Sequence, residues 1–185
     1  MDTWFTADSH FSHTNIIKYS NRPYNSIEQM DNDIIDRWNK KLKPGDRLFI
    51  LGDFCGQRRR PEILKSYLER IHLNKDGIFL IKGNHDDKQH SPKAFKHVYD
   101  IYEYKHTNKQ IIVLFHYAMK VWNRCHYGSW SLFGHSHGNL LDDPNLRSID
   151  VGVDPNGFEL LSFDDVAQKM LLKTFKPVDH HVSGE

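Results

Sequence analysis

The chain has 185 residues, enough for one domain with a substantial core and too few for two ordinary ones. Lysine and arginine number 25 against 24 aspartates and glutamates, so the net charge of +1 excludes a general field that would draw the protein to nucleic acid or membrane. Two cysteines, Cys55 and Cys125, exclude a disulfide framework and read as buried thiols, and no apolar run approaches the roughly 18 residues of a membrane span.

The chain opens on the strand-like "TWFTAD" rather than a basic, apolar leader, which predicts a soluble, cytoplasmic protein. Short apolar runs rich in Phe, Ile, Val and Leu recur at Trp4 to Ala7, Leu48 to Leu51, Ile78 to Ile81, Ile111 to Phe115 and Ser131 to Phe133, and read as buried strands. Between the first two, Ser26 and Gln29 fit a capping box, and Ile27, Met30, Ile34, Trp38 and Leu42 fall at helical spacing until Pro44 and Gly45 stop the helix. A second helix begins with Pro61 in its first turn and carries Leu64, Tyr67, Leu68 and Ile71 on its inner face. Strand–helix alternation predicts an α/β layered fold with parallel strands in the first half. Val98 to Phe115, flanking "TNKQ", predicts antiparallel strands and hence a mixed sheet. Near the end, Ser148 to Val153 and Phe158 to Phe163 flank "DPNG" as a hairpin, and Asp164 caps a closing helix through Val166, Met170 and Leu171. No repeat, linker or boundary divides residues 1–185, so one domain is expected.

The residues just beyond each apolar run carry the chemistry. "WFTA" runs into Asp8 and His10, "LFILG" into Asp53, "IFLIKG" into Asn84, His85 and Asp86, "IIVLF" into His116, and "SLFG" into His135 and His137. In open α/β sheets, side chains beyond the carboxyl ends of separate strands converge on one crevice, which is what a metal site needs. Asp8 and His10 are two residues apart, as are His135 and His137, and in extended chain such pairs point the same way. Gly52, Gly83 and Gly134 precede these residues where backbone must turn sharply or approach an ion. Of thirteen histidines, these and His13 are the ones in a pattern; His72, His90, His97, His106 and His126 read as surface or packing residues, and His180 and His181 as a polar tail.

"DSH" at Asp8, "GD" at Asp53, "GNHD" at Gly83, His116 and "GHSH" at Gly134 resemble the complete signature of the calcineurin-like metallophosphoesterases. The longer opening "DSHFSHTNIIKYSNRPY" is similar to that of the small prokaryotic and phage phosphoesterases of this superfamily. The resemblance implies a four-layer αββα sandwich of mixed sheets and two divalent ions bridged by one carboxylate. Carried over, Asp8, His10, Asp53 and His137 would hold one ion, and Asp53, Asn84, His116 and His135 the other. His85 would face the substrate as general acid or phosphate stabiliser, oriented by Asp86. The reaction implied is in-line attack on a phosphodiester or nucleotide-type ester by a hydroxide between the ions, which neutralise the phosphate oxygens and lower the pKa of water. Donors of N and O without thiolate suit Mn, Fe, Co, Ni or Zn; Mn is the first choice from family habit.

Around this set, His13 reads as a contact to ligands or substrate or as a plain loop residue. Arg22, in "NRPY", reads as an exposed ion pair or as a phosphate or base contact. Arg58 to Arg60 form a solvated loop or hold a second phosphate or a nucleic-acid backbone; Trp122, Arg124 and Trp130 would rim the pocket, where an aromatic could stack on a nucleobase, and Trp130 reads equally as core packing. Asp150 and Asp154 read as turn or hairpin residues. The rivals are a phosphomonoesterase, a nuclease, and a binding scaffold; the near-neutral charge argues against tight binding to long duplexes, and the full ligand set against a scaffold. Oligomeric state is open.

Overall fold

The computed structural model describes residues 1–57 and 59–176. Arg58, His180 and His181 therefore lie outside the described residues. In chain order the elements are β1 (Thr3–Thr6), α1 (Ile16–Tyr19), α2 (Ile27–Lys41), β2 (Arg47–Ile50), α3 (Pro61–Arg70), β3 (Ile78–Ile81), α4 (Ser91–Ala94), β4 (His97–Tyr99), β5 (Ile101–Lys105), β6 (Ile111–Phe115), β7 (Trp130–Phe133), β8 (Ser148–Asp150), β9 (Leu161–Ser162) and α5 (Phe163–Leu171), with short 3-10 turns at Lys75–Gly77 and Cys125–Tyr127.

The strands form two mixed sheets with helices, the α/β arrangement that the resemblance implies. One sheet has the order β4-β3-β2-β1-β9, the other β5-β6-β7-β8. In the first, β1 to β4 are parallel and β9 runs antiparallel to β1. In the second, β5 and β6 are antiparallel, while β6, β7 and β8 are parallel.

Alternate strand positions serve two different cores, which is why the runs are apolar throughout rather than alternating with polar residues. Leu48, Ile50, Ile78 and Leu80 face α2 and α3, packing with Met30, Ile34, Trp38, Leu64 and Leu68. Phe5, Phe49, Leu51 and Ile81 face the second sheet and meet Ile112, Leu114, Leu132 and Ile149, with Val166 and Met170 of α5 closing that layer. On the outer face of the second sheet, Val113 is covered by Trp122 and Cys125 from the loop between β6 and β7, with Met119 and Leu146 alongside. Both cysteines are buried and in the thiol form.

The α2 cap is half the expected box: Ser26 Oγ accepts from the Gln29 N–H, but the Gln29 side chain accepts from the Asn25 N–H instead of Ser26. Inside α2, buried Asp31 accepts from Tyr67 of α3 at 2.5 Å and from the Ser12 backbone at 3.1 Å, tying both helices to the loop after β1. No helix among the described residues is long and apolar enough to cross a membrane.

Two expectations fail near the C-terminus. Residues flanking "DPNG" do not form a hairpin, because β8 joins β7 in the second sheet while β9 joins β1 in the first. The chain there passes between sheets, and local turn chemistry could not reveal that long-range choice. The cap of α5 is Ser162, paired in a full capping box with Asp165, and Asp164 only contributes charge to the first turn.

Phe49 stands at the centre of the inter-sheet layer, its ring 4.8 Å from Tyr104, 4.9 Å from Phe79 and 5.6 Å from Phe5. Phe49→Ala is expected to lower unfolding stability by about 3–5 kcal/mol, measured by urea denaturation. A loss under about 1 kcal/mol would mean that this layer is not the packed core described.

Candidate metal centre

All parallel strands of both sheets point their carboxyl ends to one edge, where an isolated parallel bridge between Ala7 and Gly152 joins the two sheets. There the chain after β1 runs beside the chain after β2: the N–H groups of Asp8, His10 and Phe11 donate to the carbonyls of Gly52, Asp53 and Phe54. Close approach explains two glycines. A Cβ on Gly52, whose φ is +88°, would lie 2.3 Å from the His116 ring, and one on Gly134 would lie 2.4 Å from Ala7 Cβ and 2.6 Å from Asp8 Oδ2.

Asp8, His10 and His137 bring one ligand atom each within 4.8 Å of one another, and so do Asp53, His116 and His135. The first group is largely buried, whereas His135 and the neighbouring Asn84 are exposed, so the second opens to solvent. The two groups meet at Asp53, whose Oδ2 lies 3.5 Å from His10 Nε2 and 3.6 Å from His116 Nε2. Asp53 Oδ1 accepts the His85 N–H, and Asp8 Oδ2 accepts the His135 N–H, each at 2.8 Å. Backbone thus fixes one oxygen of each carboxylate and leaves the other for the cluster.

The paired residues are not extended, as the two-residue spacing suggested. Asp8, His10, Asp53, His135 and His137 all have positive φ, between 48° and 67°. That conformation costs about 1–2 kcal/mol for a residue with a Cβ, so the ligands stand where the backbone is strained.

His116 Nδ1 lies 2.7 Å from the Leu51 carbonyl, which can only accept, so Nδ1 carries the proton and Nε2 the lone pair. That lone pair faces Asn84 Oδ1 at 3.1 Å. Buried Asp8 Oδ1 and His10 Nε2 have no hydrogen-bond partner among the described residues. Burial, then the Asp53 charge, raises Asp8 well above the usual carboxylate range. Burial, with Arg22 and the other histidines adding to it, lowers His10 to about 2, and burial also lowers His116 despite Asp53. Unprotonated imidazoles and crowded acceptor oxygens, stripped of water, are a donor set that a divalent cation fits.

Residues 1–184 match the family model for calcineurin-like phosphoesterases. The chain belongs to the calcineurin-like phosphoesterase family. It is 31% identical over 166 residues to the uncharacterized protein MJ1445 of Methanocaldococcus jannaschii, covering 87% of this chain and 86% of that protein. Its fold is similar to the crystal structure of the protein of unknown function AQ665 from Aquifex aeolicus, with a TM-score of 0.69 and 23% identity over 91% of this chain and 98% of that one. A more distant likeness is to Yfce, a phosphoesterase from E. coli, with a TM-score of 0.43 and 15% identity over 82% of this chain and 78% of that one. As a calcineurin-like phosphoesterase the protein is a metal-dependent hydrolase by family, and the two donor groups found among the described residues could hold ions.

The other candidate residues divide. The His85 ring stands 5.1 Å from His10 and 5.7 Å from His13, and His13 lies half-buried against His10, so both are at the centre. Asp86 does not orient the His85 ring: its buried carboxylate accepts the N–H groups of Asp53, Gly83 and Phe54, bracing the loops that carry Asp53 and Asn84. Burial pushes Asp86 up to about 7 against those three donors. Arg22 is neither exposed nor free for substrate; its buried guanidinium pairs with Asp154 at 2.8 Å and donates to the Asp8 and Ser9 carbonyls. Arg124 is exposed, at the start of the Cys125–Tyr127 turn, and no contact joins it to the centre among the described residues. Trp122 and Trp130 do not rim a pocket; both are buried, Trp130 stacking on Phe163. Sequence reasoning also missed Tyr117, whose part-exposed ring touches His135 and His116 edge-on, and the bond by which Asp154, sitting in a turn as expected, accepts from His137. Only Tyr117 had a local signal, its place one residue after His116.

Asp86→Ala would leave two buried N–H groups, of Asp53 and Phe54, and the part-buried one of Gly83 unmet; at about 1–3 kcal/mol for each buried group the expected loss of stability is at least about 2 kcal/mol by denaturant unfolding. Metal binding should release protons: below its raised pKa Asp8 holds a proton that a cation must displace, so affinity rises with pH and levels off above that value. Calorimetric titration in buffers of different ionisation enthalpy reads this release. Uptake of metal with no proton release at mildly acidic pH would show that Asp8 is already ionised.

Proposed function

We propose that the protein hydrolyses phosphate esters with two bound divalent ions, and that phosphodiesters or nucleotide-type esters are its preferred substrates. The carrying observation is the place of Asp53 Oδ2 between His10 Nε2 and His116 Nε2, which lets one carboxylate serve both donor groups. Asp8, His10, Asp53 and His137 would hold one ion, and Asp53, Asn84, His116 and His135 the other. When bound, such ions neutralise phosphate oxygens and make water acidic enough to supply hydroxide near neutral pH.

The chain's own residues then have distinct tasks. Asp53 and His85 are coupled, since the His85 N–H donates to Asp53 Oδ1, and this holds the His85 ring beside the donor groups. From there His85 would donate a hydrogen bond or a proton to the departing ester oxygen, in the attitude of a general acid. His13, half-buried and packed against both His10 and His85, would contact the phosphate or its nearer substituent. Exposure of Asn84 and His135 favours the diester reading, because an open second group leaves room for substituents on two ester oxygens. Mn is the first candidate, and Fe, Zn, Ni and Co meet the same oxygen and nitrogen donors.

Purified protein treated with chelator should lose hydrolysis of bis-p-nitrophenyl phosphate and regain it with Mn, and Asp53→Asn should abolish it. His85→Ala should lower kcat about 10²- to 10⁴-fold on esters with a poor leaving group, with metal content unchanged. Turnover of p-nitrophenyl phosphate alone would replace the diesterase by a phosphomonoesterase. Undiminished activity of Asp53→Asn would remove the two-ion reading.

A further inference from the structure

The opening motif is longer than ligation by Asp8 and His10 requires, and the arginine of its latter half, "YSNRPY", is buried. Arg22 uses every N–H it has. Nε donates to Asp154 Oδ1 at 2.8 Å, one Nη2 hydrogen to Asp154 Oδ2 at 2.8 Å and the other to the Asp8 carbonyl at 2.7 Å, while Nη1 donates to the Ser9 carbonyl at 3.0 Å and to Met30 Sδ at 3.4 Å. The guanidinium is wholly buried. Asp154 Oδ2 then lies 2.6 Å from His137 Nδ1, and Ser20 Oγ stands 3.2 Å from the same nitrogen.

We propose that Arg22 and Asp154 form a positioning pair that fixes the tautomer of His137, holding its proton on Nδ1 so that the Nε2 lone pair is kept for the ion shared with Asp8 and His10. The pair rests on the two-ion reading and adds to it a cause for the geometry of one donor group. A carboxylate cannot donate, so the His137 nitrogen facing it must. Such a partner on the far nitrogen sets which nitrogen is free for metal, and its loss commonly costs 10- to 100-fold in affinity. Arg22 supplies what the carboxylate needs to hold that posture, since two parallel N–H bonds fix its plane, a geometry that lysine cannot copy. The same guanidinium grips the Asp8 and Ser9 carbonyls, so strain at Asp8 and the orientation of His137 are held by one side chain.

Asp154→Asn is the discriminating variant. Arg22 offers only donors, so its Nε–H would keep the amide oxygen in the Oδ1 place while the amide NH2 takes the Oδ2 place, facing His137 Nδ1 and inverting the tautomer at the loss of the Nη2 bond. Calorimetric titration of metal-free protein with Mn counts ions and affinities, and ¹⁵N-histidine spectra of the metal-free protein read the tautomer. Wild type should take two ions and show His137 protonated at Nδ1. In Asp154→Asn one ion should bind about 10- to 100-fold more weakly with the other unchanged, and the His137 signals should move to the Nε2-protonated pattern. Arg22→Lys should move both readouts the same way by less; if it does not fold, Asp154→Asn carries the test alone. Two unchanged affinities, equal weakening of both ions, or an Nε2-protonated His137 in the metal-free wild type would each overturn the pair while leaving the two-ion reading standing. Failure of the wild type to take any ion would sink both.

Discussion

Two carboxylates, Asp8 and Asp53, are buried within reach of each other among imidazoles, and among the described residues no lysine or arginine pairs with the oxygens they turn toward the cluster. Arg22, a buried cation beside them, donates to the Asp8 carbonyl and not to its carboxylate. Burying like charges is costly, and the cost falls only when a proton or an external cation joins them. Everything else at this edge of the molecule answers that demand. Burial holds His10 and His116 unprotonated, the polar atoms Asp8 Oδ1 and His10 Nε2 are left without hydrogen-bond partners among the described residues, and backbone N–H groups bond the carboxylate oxygens that face away.

The fold meets the demand by aiming the parallel strands of two sheets at one edge. Each sheet alone would supply only part of the donors: the first brings Asp8, His10, Asp53 and Asn84, the second His116, His135 and His137. Joining them requires backbones closer than side chains allow, hence the missing Cβ at Gly134 against Ala7 and Asp8. It also requires ligand residues to sit at positive φ, a strain that the bonds from the Asp8 and His10 N–H groups to the chain after β2 help to hold in place. The two apolar layers on either side of the first sheet supply the stability that offsets the strained rim, where carboxylates and imidazoles could not persist unless packing over-determined them.

Much of this was legible in the residues. Continuous apolar runs ending in Asp, His or Asn located five strands and the donors beyond them, because a strand buried on both faces leaves no polar pattern of its own and its end stands out. Helix α2 was legible for the opposite reason, its apolar residues recurring at helical spacing behind a serine cap. What stayed hidden depends on contacts far apart in sequence. Nothing near Asp154 says that it meets Arg22 across 132 positions, so both read as surface or turn residues. The crossing of the chain between β8 and β9 hid behind a plausible turn, and Asp86 looked like a partner for His85 because it is adjacent, whereas its carboxylate points to backbone on the neighbouring loop.

Diffraction from crystals grown with manganese, measured at its absorption edge, tests the shared role of Asp53 most directly. Two anomalous peaks are expected, one within bonding distance of Asp8, His10 and His137, the other of Asn84, His116 and His135, with one Asp53 carboxylate touching both. A single peak, or two peaks with Asp53 bound to neither or only one, would contradict it.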